Sequence, residues 1–277
     1  MKRQMNPRLQ LETFPLSLLC GILVLFAATP RAPAEPTPAA IAAFDRYVST
    51  LEARLTRQHA SATTFLMLAP SQRPGELVIE DLTPNPAPAT PGAMLHHWRG
   101  SAFIAGATAA QFEQLLRDFN HYPQRFAPQV LTARILTQSG DHLTTTMRVR
   151  QKHVLTVVMD TTYDVQFAQL DPHDRFSTSR STRIYEIDAP GTPHEHPLSP
   201  ADEHGFLWRL NTYWSYAERD GGLLIQIETV SLSRSIPTGL GWAIGPFVQS
   251  VPRESLEFTL RSATNTLKTL NSKTPNS

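Results

Sequence analysis

The sequence has a single cysteine, Cys20, and it stands inside the first apolar stretch of the chain. Once that stretch is removed, the remainder can form no disulfide, no cysteine-ligated metal site and no cysteine nucleophile. Charge of one sign is also lacking. The formal net charge is +1, and no dense Lys/Arg run follows the N terminus. This excludes a general nucleic-acid binder, because phosphate binding draws on clustered basic side chains. No apolar run reaches the roughly 20 residues that a membrane-spanning helix needs. Two catalytic signatures are missing as well, the G-x-S-x-G nucleophile elbow and the H-E-x-x-H zinc helix. What is present is an ordinary globular composition, 41% hydrophobic and 18% charged over 277 residues. That length suits one large domain, or one domain with an appendage, able to bury its own core.

The N terminus reads as an export signal. Lys2, Arg3 and Arg8 supply a positive region, and residues 14–28 (FPLSLLCGILVLFAA) an apolar one. Ala32-Pro33-Ala34 fits a cleavage site that leaves Glu35 as the first mature residue, with a break after Ala27-Ala28-Thr29 as the alternative. Leu18-Leu19 before Cys20 lacks the small residue of a lipoprotein signal. The expected location is therefore periplasmic or extracellular, with an uncleaved N-terminal anchor as the other reading. The expected division is a signal peptide over 1–34, an extension of helix, short strand and Pro-rich loop over 35–92, a main domain over 93–271 and a disordered tail over 272–277.

Along the mature chain, Ile41, Phe44, Val48, Leu51 and Leu55 recur at helical spacing and predict an amphipathic helix ending near Gln58. Residues 76–82 and 98–105 read as strands, separated by the Pro-rich loop 83–92. Thr108 is placed to N-cap a helix carrying Phe112, Leu115, Leu116 and Phe119, although Glu113 is too far along to close a capping box. The pattern then turns to alternation, predicting strands over 129–138, 142–151, 154–169, 175–187, 206–219 and 223–235. Asp220-Gly221-Gly222 signals a tight hairpin. Residues 240–250 are expected to be partly helical, and a long last helix to carry Pro252 in its first turn and Leu256, Leu260, Ala263, Leu267 and Leu270 on one face. Runs of strands bounded by helices predict an α+β fold with an antiparallel sheet. Its one apolar face is left for the C-terminal helix to cover, and a twisted sheet around a helix leaves room for a ligand.

This order resembles the START-like helix-grip superfamily, also called SRPBCC, over about residues 98–270. Four places carry the resemblance: strand to helix from Phe103-Ile104 to 109–119 with the bend at 120–128 (NHYPQRFAP); the long hairpins; Asp220-Gly221-Gly222 leading into 225–234; and Ile236-Pro237 through Val251-Pro252 into the last helix. The resemblance implies a helix-grip fold, a curved antiparallel sheet wrapped around a long C-terminal helix, and a cavity. It implies no shared catalytic residues. The cavity wall it suggests is Met159, Tyr163, Trp208, Trp214, Tyr216, Ile225, Ile227, Trp242 and Phe247, with a filled core as the plainer alternative. The expected partner is a lipid or other hydrophobic small molecule, with transient membrane contact. No nucleic acid, metal or other cofactor is expected, and the chain is expected to be a monomer. A cyclase- or hydratase-type enzyme using the same cavity, or an interaction protein with a packed core, are the alternatives.

Other chemistry-bearing residues are weaker. His194-Glu195-His196 has an H-x-H spacing with Asp202 and His204 nearby, but reads first as a solvated loop. The loop 188–204 is either a lid or a plain connection. His96 and His97 are adjacent on a strand and must face opposite ways, one exposed and one bonded within the fold. Arg209, Asn211 and Tyr213 alternate away from the apolar positions and are expected in solvent, with a polar anchor in the cavity as the alternative if the strand faces the other way. Asp160 is expected on the polar face.

Overall fold

The computed structural model describes residues 35–67, 76–85, 87–88, 90–152, 156–235 and 241–273, with side chains of the last segment described over 250–271. The expected leader, residues 1–34, lies outside the described residues, as do 274–277 of the expected tail. Helix α1 (Pro38–Gln58) starts where Thr37 accepts the Ala40 N–H at 3.1 Å and Pro38 takes the first-turn position. Strands β1 (Leu77–Asp81) and β2 (Ala93–Ala105) follow. Helix α2 (Ala109–Arg117) comes next, then a 3-10 turn (Phe119–His121) and the one-turn α3 (Tyr122–Arg125). Six long strands form the rest of the sheet: β3 (Val130–Ser139), β4 (His142–Lys152), β5 (Thr156–Gln169), β6 (Asp174–Asp188), β8 (Arg209–Arg219) and β9 (Gly222–Arg234). The two-residue β7 (His196–Pro197) sits between β6 and β8, and α4 (Gly241–Lys273) closes the described chain.

All neighbouring strands are antiparallel, in the order β1-β2-β9-β8-β6-β5-β4-β3, with β7 pairing β6. Register shifts between Val130 and Thr132, Ile135 and Thr137, and Thr162 and Tyr163 mark irregularities that increase local twist and curl the sheet. Asp220 and Gly221 both have positive φ (50° and 72°), the backbone of the two-residue turn whose twist matches its strands. This is the predicted helix-grip architecture.

The inner face grips α4. Leu256, Leu260, Ala263 and Leu267 are buried against it with Ile104, Phe112 and Ile225. Burial of the three leucines stabilises the docking by about 5–9 kcal/mol as an upper estimate. The helix comes closest at Gly100 of β2, where a Cβ would meet Leu256 Cδ2 at 2.6 Å. Glycine leaves room for that approach without displacing the leucine methyls.

Several expectations need correction. The capping box of α2 exists, closed by Gln111 rather than Glu113: Thr108 accepts from Gln111 N–H at 3.2 Å and the Gln111 side chain accepts from Thr108 N–H at 3.0 Å. Strand β2 begins at Ala93, before the predicted start. Helix α4 begins at Gly241 and carries Pro252 inside it, where the ring has no N–H to donate. The preference of proline for first turns misplaced that boundary. The largest correction concerns the outer face, which is not solvated. Phe44, Val48, Leu51 and Leu55 of α1 pack there with Leu95, Trp208, Val230 and Leu232. Asn211 and Tyr213 are accordingly buried, and Tyr213 donates to Glu52 at 2.9 Å. Arg209 is half-buried.

Under α1 the outer face also holds charge. Glu228, 2% exposed, accepts from Arg54 and from His97, the latter at 2.9 Å, and His97 Nδ1 meets Tyr47 Oη at 2.8 Å. Burial alone would raise the Glu228 carboxyl, but the His97 hydrogen bond and the Arg54 charge hold it below the usual carboxylate range. Asp160 is half-buried and held bidentately by Arg148 at 2.6 and 2.8 Å. Among the described residues no helix is long and apolar enough to cross a membrane.

Candidate functional site

Between the inner face and α4 lies a cavity of about 400 Å³. It falls within the size range of small-molecule sites and is more than twice the ~150 Å³ that holds benzene in an engineered apolar cavity. Strands, an aromatic turn and a helix build it. The strands β4 and β5 contribute Met147, Val149, Val157, Met159, Tyr163, Val165 and Phe167, in the period-2 alternation that puts every second side chain on one face. The end of α2 contributes Leu116, and the turn after it Phe119, Tyr122 and Phe126. Phe119 stacks on Tyr122 at 4.5 Å, and Tyr122 leans on Phe126 at 4.8 Å, so these rings support one another. The Tyr122 hydroxyl donates to the Leu116 carbonyl at 2.7 Å, which fixes the turn against its helix. From above, α4 lowers Val251, Pro252, Ser255, Leu256 and Thr259. Phe206 and Leu207, just before β8, complete the wall.

The rest of the lining is uncharged and mixed, with Leu210, Trp214 and Ile227 beside neutral polar groups that include Gln129 and Gln151. Ser177 and Ser179 of β6, Thr212 of β8 and Thr229, Ser231 and Ser233 of β9 belong to it, with His96 of β2. No Asp, Glu, Lys or Arg is among the described lining residues, and residues 236–249 contain none in sequence. The titratable groups are thus His96 and two tyrosines. Burial lowers the His96 imidazole, and its Nε2 has no hydrogen-bond partner among the described residues. Burial pushes the Tyr163 phenol up to about 12, and Tyr122 is raised for the same reason.

The predicted wall residues divide. Met159, Tyr163, Trp214 and Ile227 line the cavity. Tyr216 and Ile225 lie in the same hydrophobic cluster but behind it, Tyr216 donating to Glu113 at 3.0 Å. Trp208 packs on the outer face, because it precedes the β8 ladder and the alternation does not extend to it. The side chains of Trp242 and Phe247 lie outside the described residues. The segment 236–250, expected together with the loop 188–204 to gate the cavity mouth, is described only from Gly241 onward. In the loop 188–204, Glu195 accepts from Arg148 and from Gly191 N–H, the latter at 2.7 Å, and His196 Nδ1 meets the His194 carbonyl. Those residues are occupied with one another, and no group of three metal-ligating side chains occurs among the described residues. His97 is the histidine bonded within the fold, whereas His96 faces the cavity rather than solvent.

Missed by the sequence reading were the aromatic turn after α2 and the hydroxyl groups of the lining. The signal for those of β9 was present. The alternation through Ile225, Ile227, Thr229, Ser231 and Ser233 continues unbroken, placing hydroxyls on the face of the isoleucines.

Comparison of the sequence with family models and with curated proteins gave no match. Solved structures with a similar chain path include a STAR-related lipid transfer protein from Xanthomonas axonopodis, at 17% identity over 64% of this chain and 94% of that one, with a TM-score of 0.44. Human STARD10 is similar at 11% identity over 76% of this chain and 77% of that one, with a TM-score of 0.46. The Zhui aromatase/cyclase from Streptomyces sp. R1128 is similar at 15% identity over 63% and 94%, with a TM-score of 0.40.

Proposed function

We propose that this chain is an exported, non-catalytic binding protein that holds a compact hydrophobic small molecule between its sheet and α4. It works as a monomer and meets membranes only transiently. The observation that carries the reading is the cavity of about 400 Å³ whose described wall bears no formal charge. A volume of that size speaks against a filled core, since native interiors leave few voids larger than a water molecule. Export is supported by the positive, apolar and small-residue succession at the N terminus. A cyclase or hydratase would need an acid/base group oriented by a partner. The described lining offers His96, whose Nε2 has no hydrogen-bond partner among the described residues.

The test is native mass spectrometry, with solvent extraction, of the mature chain from Glu35 onward. An apolar molecule released on unfolding supports the carrier and names its ligand class. A protein that carries nothing and also fails to bind an environment-sensitive fatty-acid probe overturns it.

A further inference from the structure

The residues that lead into α1 are tied to the segment at the cavity mouth. Thr37, the cap of α1, donates its hydroxyl to the Pro91 carbonyl at 3.3 Å. The adjoining Gly92 carbonyl accepts Ser235 N–H at 3.0 Å, and Arg234 N–H donates to the Gly205 carbonyl at 2.8 Å. Arg234 Nη1 also donates to the His204 carbonyl at 3.2 Å. These bonds run from the start of α1, through the residues flanking β2 and β9, to the segment 203–207. That segment sets Phe206 and Leu207 on the cavity. Carboxylates outnumber cations here: Glu35, Glu186 and Glu203 stand against Arg234, with His204 on Glu186. Glu186 is 3% exposed, and its carboxylate is taken up by three backbone N–H groups and the His204 ring. Glu203 is half-buried and pairs with no Lys, Arg or His side chain among the described residues. Burial and the like charges of Glu186 and Glu35 raise its carboxyl above the usual range.

Export processing would supply a cation at this place. Hydrolysis of the Ala34–Glu35 bond, the site that the leader predicts, leaves a carboxylate on Ala34 and a new ammonium on Glu35. We propose that the ammonium created on Glu35 binds the Glu203 carboxylate, so that removal of the leader fastens the segment 203–207 over the cavity mouth. Before cleavage the same nitrogen is an uncharged peptide N–H, and the like charges of Glu35, Glu186 and Glu203 stand without that counter-charge. The mature protein therefore keeps its ligand longer than the precursor does. This deepens the exported-carrier reading and rests on it.

The test compares two chains, one that starts at Glu35 and one that keeps Ala32-Pro33-Ala34 and so carries its ammonium three residues away. The chain starting at Glu35 is expected to melt about 1–3 °C higher at pH 7. An α-amino group ordinarily titrates at about pH 7.7–8.0, and a carboxylate partner raises that value. The added stability is therefore complete below about pH 7.5 and lost as pH rises towards about 10. The other charged groups at the mouth, Glu35, Glu186, Asp202, His204 and Arg234, are common to both chains and cancel in the comparison. Glu203→Gln should abolish the difference between the two chains. The environment-sensitive fatty-acid probe should leave the chain starting at Glu35 about threefold more slowly in stopped-flow. Equal melting temperatures at pH 7, or a difference that survives at pH 10 or in Glu203→Gln, overturn the ion pair but leave the carrier standing. An ion pair with equal release rates overturns its action on the mouth. A probe that binds neither chain overturns the carrier and the retention with it, while the melting comparison still decides the ion pair.

Discussion

Gly100 gives the sharpest check on how α4 is held. A Cβ there would sit 2.6 Å from Leu256 Cδ2, 3.0 Å from Leu260 Cδ2 and 3.2 Å from Ile79 Cδ1. Carbon atoms rest about 3.5–4.0 Å apart, so Leu256 must retreat by about 1 Å. Its terminal methyl can turn, but Leu260 is fully buried and cannot follow freely. Overpacking of this kind costs about 1–3 kcal/mol, against about 0.5–1 kcal/mol recovered by replacing glycine in a strand. Gly100→Ala should therefore destabilise by about 1 kcal/mol, lowering the midpoint by about 2–4 °C for a domain of this size. Gly100→Val sets two further carbons against the helix and should cost more. Because Leu256 also lines the cavity, both variants should bind an apolar probe more weakly than their loss of stability alone explains. Calorimetry and probe titration measure the two effects. A Gly100→Ala protein as stable as the wild type, or more so, would refute the close approach of α4 to β2.

Filling the cavity from the β4 side with Val149→Trp should abolish probe binding while the melting temperature holds. His59 stacks on Phe176 at 4.2 Å and shares a 2.8 Å hydrogen bond with Ser215, and burial lowers its imidazole to about 4. Its folded pKa lies below the unfolded value, so the neutral ring stabilises above pH 6.5 and that stability is lost as pH falls from 6.5 towards 4. The slope reaches about 1.4 kcal/mol per pH unit. Urea midpoints for wild type and His59→Leu should converge across that window; parallel curves would dismiss the assignment. Glu186 accepts from the backbone N–H groups of His204, Gly205 and Phe206 at 3.1, 2.9 and 3.1 Å, and meets His204 Nδ1 at 2.7 Å. Glu186→Ala should loosen the segment carrying Phe206 and Leu207 and speed probe release in stopped-flow, with an unchanged release rate as the contrary result.

The local features of the fold were legible because each is written within a few residues. Alternation marked the long strands, Asp220-Gly221 the hairpin, and the spacing of Leu256, Leu260, Ala263 and Leu267 the face that α4 buries. Amphipathicity likewise showed that α1 must lie on something. It could not show on what, because a helical stripe specifies a partner's polarity and not its identity. Only the tertiary structure placed α1 over the outer face, which buried Asn211, Tyr213 and Glu228 on the side read as solvated. His96 and His97 posed a similar problem. Their alternation fixed that they face apart, and the β2–β9 ladder decided which one meets the cavity. The hydroxyl groups of the lining are the extreme case. Ser179, Thr212 and Thr229 lie on three strands, and their alignment is a matter of register, set by long-range pairing that no single strand encodes.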